Sequence, residues 1–239
     1  MKGEDKHSTL DIIYEDNHLI AVNKTVHHLV QKDRTGDAAL DDYLKDFLKK
    51  KYNKPGNVYL GITHRLDRPV SGVVVFTKTS KALSRMNELF RNNQTKKLYW
   101  AIVKNRPKKS SDTLIHYMIK NQQKNKSFCH CTEKPDSKRA ELDYKIISES
   151  ENFYLLEINL KTGRHHQIRA QLSEIGCPIR GDLKYDYPRS NVDGGISLHA
   201  RSIEFTHPIK KIPIHITAPP PGNDELWNFF YNQMEKSSQ

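Results

Sequence analysis

A chain of 239 residues, 36% hydrophobic and 28% charged, is long enough to bury a sizeable core and too apolar for a disordered polyelectrolyte. No run nears the roughly 20 apolar residues of a membrane helix, Met1 to Thr9 holds no apolar secretory core, and three cysteines without paired spacing fit a reducing compartment, the cytoplasm. The formal net charge of +11, from 39 Lys and Arg against 28 Asp and Glu, favours a polyanionic partner over a neutral one.

Residues 1–8 and 235–239 are polar tails around what reads as a single domain, residues 9–234. Asp11 to Tyr14 and Leu19 to Val22 are short β-like runs about a polar turn. Ala38 to Lys50 places Leu40, Tyr43, Leu44, Phe47 and Leu48 at helical spacing, with Asp37 as the expected cap. Gly72 to Phe76 is a buried strand, and a helix capped by Thr79 or Ser80 turns Leu83, Met86, Leu89 and Phe90 inward. Leu98 to Val103 and Phe153 to Leu160 are strands, and His165 to Ile175 is a helix stopped by Gly176 and Pro178. Ser197 to Phe205 and Pro213 to Thr217 are the last strands, before an amphipathic helix from Asn223 to Gln233. Strands outnumber helices without a βαβ alternation, so the fold class is α+β on a largely antiparallel mixed sheet with flanking helices. Three basic clusters, Lys49–Lys54, Lys104–Lys109 and Lys120–Lys126, fall at element ends and loops, where they could meet phosphates.

Three segments could carry chemistry. In His64-Arg65-Leu66-Asp67-Arg68-Pro69-Val70-Ser71-Gly72, a carboxylate stands between two arginines that favour its charged form. An ionised, positioned carboxylate can serve as nucleophile or base, although a surface Arg–Asp pair would give the same local pattern. Lys161-Thr162-Gly163-Arg164-His165-His166-Gln167-Ile168-Arg169 sets basic residues at a strand–turn–helix junction suited to a carboxylate or phosphate. Lys96-Lys97-Leu98-Tyr99-Trp100 joins lysines to adjacent aromatics, a combination that suits an unstacked base and its phosphate.

Together these segments resemble the RluA-type RNA pseudouridine synthases. His64 to Gly72 is similar to that family's His-Arg-Leu-Asp-x-x-Thr-Ser-Gly signature, with Val70 in place of Thr. Lys97 to Ala101 resembles the segment bearing its active-site tyrosine, and Thr162 to Arg169 its Thr-Gly-Arg-x-His-Gln-hydrophobic-Arg run, with His165 in the variable place. Tyr14 to Lys24 resembles its opening motif, and Leu198-His199-Ala200 with Phe205 to Pro208 its closing one. Thr25-Val26-His27-His28 replaces the usual Pro-Ala-Gly, which predicts a changed turn.

The resemblance implies a pseudouridine synthase fold with a central RNA-binding cleft and the isomerisation of uridine in structured rRNA or tRNA. It implies Asp67 as the catalytic carboxylate, Arg164 as its basic partner and Tyr99 as the residue stacking on the base. Leu198 would wall the base pocket, and Arg65 would fill the place of a flipped uridine. His64, Arg68, Lys97, His165, Gln167 and Arg169 join them as expected RNA or base contacts. No cofactor or metal is implied, and the expected enzyme is a monomer without an accessory RNA-binding domain. The alternatives are a catalytically inactive RNA-binding protein on the same fold and an RNA-assembly factor. Cys129-His130-Cys131 offers half a zinc site without a second ligand pair, and Cys177 reads as packing.

Overall fold

The computed structural model describes residues 10–32, 36–37 and 39–237. In chain order these form β1 (Asp11–Glu15), β2 (Leu19–Lys24), α1 (Leu40–Lys51), β3 (Gly61–Ile62), β4 (Ser71–Thr77), α2 (Ser80–Arg91) and β5 (Thr95–Val103). There follow β6 (Ser111–Asn121), β7 (Lys126–His130), β8 (Lys138–Glu149), β9 (Tyr154–Leu160), α3 (Gln167–Glu174), β10 (Leu198–Thr206), β11 (Pro213–Thr217) and α4 (Glu225–Ser237). The chain is α+β, as expected, and the sheet is mostly antiparallel, as in the pairs β1–β2, β2–β4, β5–β9, β8–β9, β6–β8 and β6–β7. The chain's described residues divide into two compact units, those of 10–95 with 202–219 and those of 96–201 with 220–237.

In the first unit β2 pairs with β1 on one side and β4 on the other. Every residue of β4 is buried, and Leu19, Ala21, Val73, Val75, Met86, Ile203, Phe205 and Ile216 form the core. Helix α2 is capped by Thr79, whose side chain accepts the Ala82 amide at 3.3 Å. The cap of α1 is Ala39 rather than Asp37, and the Asp42 carboxylate accepts the Ala39 amide at 3.4 Å. Asp37 stands two residues too early for the role and its Oδ2 meets Arg68 at 2.9 Å instead.

The second unit carries the strand order β5-β9-β8-β6-β7. Helix α4 lays Trp227 and Phe230 on Trp100, Ile102 and Leu155. The strands β6, β7 and β8 were not among those expected, although β6 alternates: Leu114, His116 and Met118 are buried while Thr113 and Ile115 are exposed. The third basic cluster lies on this hairpin, with Lys120 in β6, Lys124 in the turn and Lys126 in β7. Helix α3 begins two residues later than expected because His166 takes the left-handed conformation, φ 54°, ψ 27°.

Candidate active site

The Asp67 segment belongs to the first unit. Strand β3 pairs Gly61 and Ile62 with Thr77 and Phe76 of β4, and then its backbone ladder ends. Side chains continue the pairing. Thr63 Oγ1 donates to the Val75 carbonyl at 2.6 Å, and His64 Nε2 accepts the Val75 amide at 3.1 Å. The neutral His64 ring therefore carries its proton on Nδ1, and it packs 5.2 Å from the Phe90 ring. His64, expected at the RNA, is occupied in fastening this segment to the sheet. Leu66 and Val70 are buried on either side of Asp67. Between them the chain turns, with the Val70 amide donating to the Asp67 carbonyl at 3.1 Å. Gly72, opposite Lys24 in β2, has φ +114°, a conformation that favours glycine and accounts for it in the signature.

Lys24 holds this turn. It is 1% exposed, and its ammonium donates to the carbonyls of Thr25, Arg68 and Val70 at 2.8, 2.8 and 2.7 Å. Those three bonds use all the donors a lysine has. Burial pushes its pKa down to about 7, against the upward pull of the Asp67 carboxylate. The substituted turn after Lys24 is closed by its own residues, with Thr25 Oγ1 2.9 Å from His28 Nδ1. Val70, standing where the family has Thr, offers its carbonyl to Lys24, so the backbone serves and the side chain packs. Arg65 and Arg68 are exposed beside Asp67.

The other segments lie in the second unit. Strand β5 sets Lys97 and Tyr99 on one face, Tyr99 opposite Ile158 of β9 and 8% exposed. Burial pushes the Lys97 ammonium below its ordinary range. Leu198 is 3% exposed at the start of β10.

The turn that carries Arg164 is organised by Gln167. Its Oε1 accepts from Thr162 Oγ1 at 2.8 Å and from the Arg164 amide at 3.0 Å. Its Nε2 donates to the Glu141 carbonyl at 3.1 Å and to Gln171 Oε1 at 3.0 Å. Arg164 is exposed, with Nε donating to the Arg139 carbonyl at 3.0 Å. His165 stacks on His166 at 3.8 Å, and its Nδ1 lies 2.9 Å from Ser127 Oγ. His166 meets the Tyr185 hydroxyl at 3.0 Å, and burial together with the nearby cations Arg169, His165, Lys184 and Lys120 holds its pKa far below the ordinary range.

Two of the expected RNA contacts in this segment are buried. Arg169 is 5% exposed and its Nε and a terminal nitrogen donate to the two oxygens of Asp182 at 2.7 and 2.8 Å. A guanidinium so committed anchors α3. Gln167 is 3% exposed and acts on the turn rather than the surface. Asp182 and the holding role of Lys24 escaped sequence reading. Lys24 left a signal, since a lysine that ends the buried run Leu19 to Val22 and is itself buried has to find a polar partner; Asp182 left none. Cys129 is buried with Met118, Ala140, Ala170 and Tyr185 while Cys131 is exposed, and among the described residues no group of three or more His, Cys, Asp or Glu could hold a metal.

The family model for RNA pseudouridylate synthase matches residues 18–174. The chain is 30% identical to tRNA pseudouridine synthase C of Haemophilus influenzae over 242 residues, 94% of this chain and 97% of that one. It is 31% identical to ribosomal large subunit pseudouridine synthase C of Vibrio vulnificus over 214 residues, 87% of this chain and 65% of that one. Among solved structures, human RNA pseudouridylate synthase domain containing 4 superposes with a TM-score of 0.76 at 24% identity, covering 92% of each chain, which fixes the fold.

Proposed function

The chain belongs to the RNA pseudouridylate synthase family, and from that premise we propose that Asp67, Tyr99 and Arg164 together isomerise specific uridines in rRNA or tRNA to pseudouridine. The reaction breaks the N1–C1′ bond, turns the base and forms C5–C1′, while the C5 proton leaves and N1 gains one. Substrate and product are isomers, so the chemistry needs no net oxidant or reductant.

The observation that carries the role of Asp67 is the Lys24-bound turn. A carboxylate whose backbone is fastened at Arg68 and Val70 loses little entropy in meeting a sugar. Asp67 acts at the sugar, on C1′ or on the C2′ proton, and Arg164 serves as its basic partner in the reaction. Tyr99 stacks on the base and its hydroxyl moves the C5 proton. Leu198 walls the pocket, Arg65 fills the vacated stack, and Lys97, Arg68 and His165 contact the RNA. Residues 9–234 work as one catalytic domain, as a monomer in the cytoplasm. Among the described residues no helix is long and apolar enough to cross a membrane.

Pseudouridine mapping in total RNA, with the gene present, deleted and restored as Asp67→Asn, tests this reading. Named uridines should lose modification on deletion and regain it only with the unsubstituted gene. An unchanged map, or full restoration by Asp67→Asn, would overturn it.

A further inference from the structure

A groove of about 570 Å³ lies in the first unit beside the Asp67 segment, a volume within the range of small-ligand sites. Its lining includes Tyr59, Arg65, Lys45, Asp41, Gln31 and Thr63. Tyr59 is a large aromatic left 44% exposed, while the next residue, Leu60, is buried and fixes the strand beneath it. The Lys45 ammonium lies 2.9 Å from Asp41 and its side chain stays 38% exposed. Arg65 adds a second, exposed cation. A second groove, of about 420 Å³, is lined by Asp112, Asp143 and Glu157 and has the wrong charge for RNA.

We propose that the Tyr59 groove is a specificity subsite that takes an unpaired nucleotide flanking the target uridine, its base stacked on Tyr59 and its phosphate met by Lys45. The proposal rests on the functional reading above and extends it to the sequence around the target. An exposed aromatic face next to cations is the combination that holds unstacked bases. Position supports it as well. Arg65 precedes Asp67 by two residues, at most about 7 Å of extended chain, so a nucleotide against Arg65 is a near neighbour of one whose sugar faces Asp67. Extruding one uridine breaks the stacking of the bases beside it, and the groove gives one of them a replacement surface.

The test uses hairpin RNAs spanning the segment that the wild-type protein protects from nuclease, intact or with one base beside the target removed as an abasic site. Tyr59→Ala should weaken binding of the intact hairpin about fivefold or more, the range for losing one base–aromatic stack. Both proteins should bind the matching abasic hairpin equally, and Tyr59→Phe should bind like wild type. An equal loss on intact and abasic hairpins, or no loss on either, would overturn the subsite. Binding is read without turnover, so a wild type that binds but makes no pseudouridine would refute the enzyme reading and leave the groove result standing.

Discussion

The Lys24 ammonium lies 2.7 Å from the Val70 carbonyl oxygen, so the turn that presents Asp67 is hung from a buried cation on the neighbouring strand. The same ammonium also binds the carbonyls of Arg68 and Thr25, and Asp67 in turn favours its charged form.

This arrangement sets a pH dependence. Lys24 titrates near pH 7 in the folded protein, against an ordinary lysine value of 10.5. Between those limits the unfolded chain holds a proton that the folded one has released, so this residue's contribution to stability rises with pH, by up to about 1.4 kcal/mol per pH unit. Lys24→Met lacks that rise and leaves buried carbonyls without a donor, a loss of about 1–3 kcal/mol. Urea unfolding should show a gap between wild type and variant that widens from pH 7 to pH 9. A gap independent of pH would refute the buried titration.

Arg169 and Lys120 both belong to the basic surplus, yet the structure separates their work. Arg169→Met breaks a buried pair with Asp182 and should cost about 3–5 kcal/mol of stability, while leaving the salt dependence of RNA affinity unchanged in the cold. Reversing the exposed Lys120 and Lys124 to Glu should do the opposite. Each phosphate contact contributes about 0.7–0.9 to the log–log slope of affinity against salt, so a variant that loses two should flatten by about 1.5. Lys109 is a poorer choice because it already pairs with Asp112 at 3.0 Å. Equal slopes in the Lys variant and wild type would remove this hairpin from the RNA surface.

Arg164 and Gln167 should fail in related ways. Arg164→Met is expected to lower kcat at least about a hundredfold, of the order seen when one positioned charge donor is lost, with little change in RNA affinity. Gln167→Ala frees the Arg164 amide and Thr162 from their common acceptor, so it should lower kcat by a smaller factor with KM little changed. Combining it with Arg164→Met should add little further loss, because a positioning residue has nothing left to position. Parallel losses of affinity and rate in Arg164→Met would move that residue to the RNA surface.

The strands that frame Asp67 were legible because Leu19 to Val22 and Gly72 to Phe76 are apolar runs bounded by polar turns, and burial on both faces writes that pattern directly. The hairpin of β6 and β7 is harder to read because Lys120, Lys124 and Lys126 crowd its turn end, although Leu114, His116 and Met118 are buried at alternate positions. Within the signatures, sequence reading ranked residues by chemical type. It placed Arg169 at the RNA because arginine is the residue that meets phosphate, whereas the carboxylate that claims it lies thirteen residues later with no motif to mark it. The resemblance to the family's motifs groups His64 and Gln167 with the RNA contacts, and their bonds to Val75 and to the Thr162 turn are legible only in three dimensions.

The central claim is that the Asp67 carboxylate performs the sugar chemistry, and single-turnover formation of pseudouridine by purified Asp67→Asn on a mapped substrate RNA tests it most directly. The amide keeps the shape of the side chain and loses its charge. The account predicts a folded protein with RNA affinity near that of wild type, and no pseudouridine within a period that takes wild type to completion. Product formed at the wild-type rate would contradict it.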